Sequence, residues 1–493
     1  MYKPYNVIQK LILRNSSDWK FWIICALVFK TLIFVFQISM DRPNDVPGFI
    51  GSTSPDTESY LLPVENLVYH GSYTPDYRMP GYAVVYLPLL IFFSKAWACN
   101  FVLIIQLLLS ALSVYCLALT AKIGFQSNRI FYLVFYLFAI SSYTSIFDIY
   151  LLSESFCTSI TIFAVFFLAQ YFTKRKPLYL ACSGLFLTWV IFLRPMYAPL
   201  LLLFLLILIF HEVKTINNTR AIAKATLLFL IPYILIESAW VLRNYVVHKR
   251  VVVLTTSLYS LEFERSYILE LMNFVKTWGG DRTWWNPGSE MQWFGLTGFD
   301  TTEKDFQPIE SISIPPEIYT TRFNKDSLEL IRTYIYKINH SQRSVEEEAY
   351  YTRLVKNKLD AYTQSIKEEK KFLYYFKAPV KLFVRFFFHS GTYNLYDRSF
   401  ENLNVIEKSI KIFYSLLYVC VVLTGLTGMI AAMINHNKNP VIMLIALTLL
   451  YSVVLFPIIL RQIEYRYFVP AYPFLLVMAC HGFSKAIEFA KKR

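Results

Sequence analysis

The chain is poor in charged residues. Only 17% of its 493 residues are Asp, Glu, Lys or Arg, whereas a soluble protein usually has about a quarter. Hydrophobic residues make up 56% and aromatic residues 18%. The apolar residues form blocks of about twenty, long enough to cross a hydrocarbon layer of ~30 Å. This composition excludes a soluble enzyme, a disordered chain and a fibrous protein, and it predicts a polytopic membrane protein with one large polar insert.

Cysteine is absent from the polar insert, where it could form disulfides or bind a metal ion. All seven cysteines lie in or beside hydrophobic blocks, and the polar insert contains none. The insert therefore holds neither a disulfide framework nor a CxxC metal site. No His on the predicted external side is spaced with a carboxylate as a zinc helix requires. We expect no required metal and no other cofactor.

The hydrophobic blocks predict an all-α bundle of about 10–12 spans. Ten are assigned, at roughly 19–39, 99–121, 130–147, 153–172, 178–193, 196–211, 221–242, 408–433, 440–460 and 467–488. The short pair 178–193 and 196–211 could be two tight spans or a re-entrant pair. The loops, termini and adjoining span ends on one side contain 17 Lys and Arg, whereas the loops on the other side, outside the long insert, contain 6. Because basic loops stay in the cytoplasm, both termini are expected there. Most of the formal charge of +14 thus sets orientation, and we expect membrane lipids rather than nucleic acid as partners.

Three regions follow from the spans. Residues 1–243 form an N-terminal transmembrane core with a first external loop at 40–98, residues 244–407 form an extracytoplasmic insert, and residues 408–493 form C-terminal transmembrane helices.

The insert is expected to be mixed α/β. Val251–Leu254 is typical of a short strand, and 324–371 is typical of charged helices. Segment 371–390 ends the insert as an amphipathic helix with basic residues at every fourth position, which is typical of a helix in the membrane interface. These residues are Lys377, Lys381 and Arg385.

The first external loop contains the most specific pattern. Ser54 suits an N-cap and Pro55 the first helical position, and Gly71 suits the helix end. Asp56 then lies in the first turn, where a carboxylate complements the helix dipole. From a rigid helix start the same carboxylate could accept a proton from an incoming hydroxyl, and Arg78 could hold a leaving phosphate. Both interpretations of Asp56 stay open.

Five short motifs follow one another from about residue 54 to 475. They are Pro55-Asp56-x-x-x-Tyr60 with Gly71-Ser72-Tyr73 and Arg78-x-Pro80-Gly81-Tyr82, then Leu151-Leu152-Ser153-Glu154, Phe192-Leu193-Arg194-Pro195, Trp240-x-x-Arg243-Asn244-Tyr245, and Glu464-Tyr465-Arg466-Tyr467 with Pro470 and Pro473. In this order they resemble the GT-C glycosyltransferases, and more narrowly the branch of protein mannosyltransferases and aminoarabinose transferases.

The resemblance implies a GT-C-type bundle and an inverting enzyme. Such an enzyme transfers a sugar from a polyprenyl-phosphate donor to a protein, lipid or envelope glycan outside the cytoplasm. It implies Asp56 as catalytic base and Glu154 as a second acid, a position for which Asp148 competes. It implies substrate-binding roles for Tyr60, Arg78, Tyr82, Asp148, Arg194, Arg243, Glu464 and Arg466. Arg78 and Arg466 are expected to converge on one phosphate.

The chain departs from these relatives in two respects. Arg78-Met79 stands where the aminoarabinose branch has an acid–lysine pair, which argues against aminoarabinose as the sugar and against a bound metal. No luminal sensor domain like that of the eukaryotic protein mannosyltransferases is evident. The compact size favours the inner membrane of a bacterium, with the active site on the extracytoplasmic side.

Two other functions remain alternatives. A polysaccharide polymerase or ligase is also polytopic and uses a lipid-linked substrate, but it has no need for an acid after the first span. A transporter would bury charges within its spans, and Lys30 and Glu237 lie within predicted spans.

Overall fold

The computed structural model describes residues 15–40, 42, 44–46, 49–216, 218–255, 267–280, 289–295, 314–340, 344–396, 398–435 and 439–490. Two compact units divide the chain. The first consists of Met1–Thr255, His389–Tyr451 and Phe468–Arg493, and the second of Thr256–Phe388 and Ser452–Tyr467.

Helices dominate the described residues of both units. In chain order they are α1 (Trp19–Ile38), α2 (Thr57–His70), α3 (Ala83–Phe92), α4 (Lys95–Phe125), α5 (Asn128–Ile140), α6 (Ser142–Ser145), α7 (Ser153–Lys174), α8 (Pro177–Leu193), α9 (Ala198–Thr215), α10 (Thr219–His248), α11 (Ile268–Val275), α12 (Ser289–Trp293), α13 (Lys325–His340), α14 (Val345–Glu369), α15 (Ala378–Phe387), α16 (Val405–Asn435), α17 (Pro440–Val454) and α18 (Tyr472–Ala490).

Seven of the described helices are long and apolar enough to cross a membrane. They are Trp19–Ile38, Lys95–Phe125, Ser153–Lys174, Pro195–Thr215, Thr219–His248, Val405–Asn435 and Pro440–Ile459. The pair Asn128–Ile140 and Ser142–Ile149, bent by 45°, would make an eighth span. The prediction of an all-α polytopic membrane protein is thereby confirmed.

The number of described spans is lower than the ten assigned from sequence. The block at 178–193 is the 17-residue helix α8, whose length of about 26 Å falls short of the hydrocarbon layer. The block at 467–488 becomes α18, which is not among the seven. Hydropathy along the chain detects apolar blocks, but it does not measure where each helix begins and ends.

Helix α1 buries one side only. Trp22, Ala26, Lys30, Phe34 and Gln37 are buried. The opposite side exposes large apolar residues, as expected for a surface in contact with lipid. These are Ile24, Val28, Leu32 and Val35.

Lys30 lies on the buried side of α1 and has polar contacts. Its ammonium donates to the Ser145 hydroxyl at 2.7 Å and lies 4.9 Å from the centre of the Phe138 ring. Lys30 therefore faces neighbouring helices and not the exposed apolar side of α1.

Helix α2 places the first external loop. It begins at Thr57, with Asp56 at the N-cap, so the prediction that Ser54 caps the helix is wrong. The Ser54 N–H donates to the Thr57 hydroxyl at 3.0 Å, and Thr57 N–H donates to the Ser54 carbonyl at 2.9 Å. These bonds close a turn that puts Pro55 ahead of the helix. Gly71 ends α2 in the left-handed region at φ 71°, as predicted.

The loop before α2 lies against the short 3₁₀ helix Ile146–Ile149. Ser52 N–H donates to the Ile149 carbonyl at 2.9 Å. A Cβ added at Gly51 would lie 2.2 Å from that same carbonyl oxygen, so only glycine allows this approach.

The second unit has a helical core in its described residues. Side chains from α11, α13 and α14 pack around Phe274, Phe323 and Tyr362. The Phe323 and Tyr362 rings stack at 4.7 Å.

The prediction of a mixed α/β insert is wrong for the described residues. Within them, Val251–Leu254 forms no strand, because side chains of α10 take its backbone groups. Leu254 N–H donates to Glu237 at 2.7 Å, Trp240 donates to the Leu254 carbonyl at 2.6 Å, and Asn244 donates to the Val252 carbonyl at 3.2 Å.

The amphipathic segment 371–390 is helical through Phe387. Leu382 and Phe386 are buried in the second unit. A strip of apolar side chains remains exposed, as a helix in the membrane interface requires. The strip consists of Phe372, Phe376, Val380 and Val384. Of the basic residues, Lys377 pairs with Glu317 at 2.6 Å.

Candidate functional site

Asp56 and Arg78 form an ion pair in the first external loop. The Arg78 Nη2 atom lies 3.2 Å from Asp56 Oδ1. Arg78 also donates through Nη1 to the Tyr60 hydroxyl at 3.1 Å and through Nε to the Ser59 hydroxyl at 3.0 Å. Its guanidinium lies 4.4 Å from the centre of the Tyr60 ring. Among the described residues, these contacts use three of the five guanidinium N–H donors, which leaves two for a ligand.

A chain of polar contacts continues from Tyr60 into the protein. The Tyr60 and Ser153 hydroxyls lie 2.9 Å apart, and Arg194 Nε donates to Ser153 at 2.9 Å. Arg194 then forms an ion pair with Glu154. The sequence of contacts Asp56–Arg78–Tyr60–Ser153–Arg194–Glu154 is called the polar chain below. It contains five of the predicted site residues.

Tyr82 joins the same region through its ring. The Tyr82 ring lies 5.2 Å from Tyr60 and 5.7 Å from Phe156 on α7. Its hydroxyl is buried and has no hydrogen-bond partner among the described residues. Burial raises the pKa of this hydroxyl well above its usual value, so Tyr82 stays neutral.

Gly81 lets the first external loop lie directly against the end of α8. Gly81 N–H donates to the Phe192 carbonyl at 3.2 Å, and the Trp189 indole donates to the Gly81 carbonyl at 2.8 Å. A Cβ at Gly81 would lie 2.3 Å from the Phe192 carbonyl carbon. The absence of a side chain therefore lets the loop that carries Arg78 lie directly on the end of α8, beside Arg194.

The two ends of the polar chain differ in exposure. The Asp56 and Arg78 side chains are 36% and 25% exposed, whereas those of Glu154 and Arg194 are 1% and 9% exposed. An exposed carboxylate can receive a proton from a bound hydroxyl. A buried ion pair instead fixes the orientation of its neighbours, because leaving either charge alone is costly.

A second cluster is centred on Asp76, two residues before Arg78 in sequence. Asp76 Oδ2 accepts from Arg243 and lies 2.6 Å from His248 Nε2. Arg243 also donates to the Tyr73 carbonyl at 2.8 Å. Burial would raise the pKa of Asp76, but hydrogen bonds from Arg243 and His248 outweigh it and hold that pKa below its usual value. Arg243 thus ties the first loop to the end of α10, and it is not a member of the polar chain.

Asp148 is buried apart from the polar chain. It accepts from the Ser155 hydroxyl at 2.6 Å and interacts electrostatically with Lys30. Ser155 follows Glu154 on α7, so the two competing acids lie close in the fold. Only Glu154 contacts Arg194.

Glu464 and Arg466 belong to the second unit. Arg466 Nε lies 2.5 Å from Glu464 Oε1, and Tyr467 stacks on Phe456 at 5.0 Å. Convergence of Arg466 with Arg78 on one phosphate stays a prediction.

Sequence reasoning missed Ser59 and Ser153, and it missed the contact between Asp76 and His248. Ser153 stood within a quoted motif, and its position directly before Glu154 was the signal available. No comparable signal connects Asp76 with His248, because 172 residues separate them. Only the folded chain shows that contact.

No family model matches the chain, and no curated protein matches it. In the part of the chain that the structure describes, no group of three or more His, Cys, Asp or Glu residues could hold a metal ion.

Proposed function

We propose that the protein is an integral membrane glycosyltransferase. It transfers a sugar from a polyprenyl-phosphate donor to an acceptor outside the cytoplasm. The substrates meet at the exposed end of the polar chain, beside Asp56 and Arg78.

One observation carries the proposal: a partly exposed carboxylate and a partly exposed guanidinium lie side by side at a helix start, 3.2 Å apart. Sugar transfer from a lipid phosphate needs both groups. A carboxylate accepts the proton of the acceptor hydroxyl. A guanidinium with unused N–H donors binds the phosphate as the glycosidic bond breaks.

Asp56 acts as the general base in this proposal. The acceptor oxygen attacks the anomeric carbon, its proton passes to Asp56, and the bonding electrons of the glycosidic bond leave with the phosphate. Arg78 stabilises the leaving phosphate. Attack opposite the leaving group inverts the configuration at the anomeric carbon.

Glu154 and Arg194 act as positioning residues. Both are buried and neutralise each other. Through Ser153 they hold the Tyr60 hydroxyl, which in turn receives a hydrogen bond from Arg78. Their contribution is to fix Arg78, and the proton passes to Asp56 without involving them.

Asp56→Asn tests the proposal directly. The variant keeps the shape of the side chain but removes its basic oxygen, so transfer should fall by about 10²–10⁴-fold. The measurement is transfer of a labelled sugar from a synthetic polyprenyl-phosphate sugar by purified protein at matched concentration.

Glu58→Gln is the matched control, because Glu58 is an exposed acid in the same first turn of α2. If the carboxylates only complement the helix dipole, both variants should cost under about 1 kcal/mol of stability and retain transfer. Near-normal transfer by Asp56→Asn would contradict the proposed base. It would then move the role of the base to Glu154, Asp148 or Asp76.

A further inference from the structure

A basic cluster in the second unit lies around the turn Lys276–Gly280. The 3₁₀ turn Lys276–Trp278 follows α11 and ends at Gly279 with φ 69°. Arg461 donates through Nη1 to the Lys276 carbonyl at 3.1 Å and through Nη2 to the Tyr374 carbonyl at 2.7 Å. Arg385 donates to the Gly279 carbonyl at 3.3 Å. Three cationic residues thus meet at one short turn, called the basic turn below.

The basic turn lacks a balancing anion among the described residues. Lys276 is 8% exposed, yet neither it, Arg461 nor Arg385 forms an ion pair with a described carboxylate. Burial and the nearby Arg461 charge lower the pKa of Lys276 to about 8, so it remains mostly protonated at neutral pH. A buried cation beside a second cation is unfavourable unless an anion compensates.

Other lysines of the same unit show the usual arrangement. Lys356 lies 3.1 Å from Glu270, and Lys377 lies 2.6 Å from Glu317. Both are more exposed than Lys276 and are nevertheless paired. The cations of the basic turn are therefore the exception within their unit.

Two features place the basic turn at the level of the lipid headgroups. Arg461 comes two residues after the candidate span Pro440–Ile459. Arg385 lies in the helical segment that exposes an apolar strip, of which Val380 and Val384 are part. At this depth phosphate is the prevailing anion, and guanidinium and ammonium groups are its usual ligands in proteins.

We propose that Lys276, Arg461 and Arg385 form a binding site for a phosphate group, which a membrane lipid headgroup supplies. The site consists of residues of the second unit alone, and it does not depend on the proposed sugar transfer. The bound phosphate neutralises Lys276 and fixes the turn at the membrane surface.

The experiment measures binding to the purified, delipidated full-length chain in micelles. The probes are short-chain phosphatidylglycerol, the diacylglycerol with the same chains, and inorganic phosphate, and the readouts are native mass spectrometry and the unfolding temperature. Lys276→Met should weaken phosphatidylglycerol binding at least tenfold. It should unfold at or above the wild-type temperature when lipid is absent, because it removes an uncompensated charge. Lys356→Met, which removes a paired lysine of the same unit, should bind within twofold of wild type.

The three probes distinguish a lipid headgroup from free phosphate as the source of the bound phosphate. Binding of phosphatidylglycerol alone supports a lipid headgroup, and binding of inorganic phosphate that Lys276→Met abolishes supports a free phosphate at the same residues. Equal binding of diacylglycerol, or unchanged binding by Lys276→Met, would overturn the proposal.

Asp281 follows the basic turn in sequence and lies outside the described residues. Phosphate binding that appears only in Asp281→Asn would show that a carboxylate of the chain already compensates Lys276, and would overturn it as well.

Discussion

At the scale of single residues, the polar chain separates two kinds of charge. The Asp56 and Arg78 side chains are partly exposed to solvent, whereas those of Glu154 and Arg194 are buried. Removing one member of an enclosed pair leaves the other without compensation, while removing an exposed member lets water replace it. Substitutions of the buried pair should therefore lower the stability of the protein, whereas substitutions of the exposed pair should leave it nearly unchanged.

Glu154→Leu should destabilise the protein by about 3–5 kcal/mol, because it leaves Arg194 buried without its carboxylate. The double variant Glu154→Leu with Arg194→Met should recover much of this stability. Thermal unfolding of the purified variants measures both effects. A double variant no more stable than Glu154→Leu alone would show that the pair is not coupled as described.

Asp76 gives a pH prediction. Its pKa in the folded protein lies below the usual value, so it stabilises the fold at pH values above its unfolded pKa of about 3.9. This stabilisation should be lost as the pH falls through the lower, folded pKa. Unfolding temperatures measured from pH 6 down to pH 3 should drop less steeply in Asp76→Asn than in wild type. Parallel curves would contradict the assignment.

At the scale of elements, the first loop depends on a close backbone contact with α8. Gly81→Ala should force the loop away, because its new Cβ would lie 2.3 Å from the Phe192 carbonyl carbon. Arg78 would then shift away from the end of α8. We expect lost sugar transfer together with a lower unfolding temperature.

Gly71→Ala is the control for Gly81→Ala. Gly71 also needs its glycine, for φ 71°, but a Cβ there would meet no neighbour within 4 Å. It should cost about 1–2 kcal/mol through backbone strain alone and leave transfer per folded molecule unchanged. Equal loss of transfer in both variants would show that general destabilisation, and not the position of the loop, is responsible.

The sequence allowed more of the elements than of their contacts to be predicted. Apolar blocks predicted the membrane-spanning helices, since a helix that crosses lipid must be apolar along most of its length. Gly71 gave the end of α2 through its backbone freedom. The start of α2 was missed, because Ser54 and Asp56 both suit an N-cap and only the folded turn decides between them. The strand at Val251–Leu254 was wrong because Glu237, Trp240 and Asn244 of α10 satisfy its backbone, and local β preference does not include such partners.

The residues of the candidate site could be predicted from their motifs, but the hydrogen bonds and ion pairs that connect them could not. Asp56 and Arg78 were chosen from the first external loop, and Glu154 and Arg194 from two later motifs. That Ser153 and Tyr60 connect them depends on the approach of the loop to α8, which spacing along the chain does not encode. Arg243 was expected to bind the substrate, and this stays a prediction. Its described contacts include Asp76, the Tyr73 carbonyl and the Asn244 side chain.

At the scale of the whole molecule, the distribution of Lys and Arg predicts the orientation. With 17 basic residues in the loops, termini and span ends of one side and 6 in the loops of the other, outside the insert, a reporter fused after residue 300 should be active only outside the cytoplasm. A second fusion after residue 217, between α9 and α10, should behave as cytoplasmic. A cytoplasmic signal from the first fusion would overturn the orientation, and with it the side on which Asp56 is expected.

The four ionised groups of the polar chain sum to zero: Asp56 and Glu154 balance Arg78 and Arg194. A phosphate donor therefore arrives as unmatched negative charge. Under the proposed function, the proton that Asp56 accepts cancels the carboxylate that Arg78 neutralises. Arg78 then offers its full charge while negative charge develops on the departing phosphate. Activation of the acceptor and release of the donor would be a single electrostatic event, in which protonation of one side chain frees its neighbour for the leaving group.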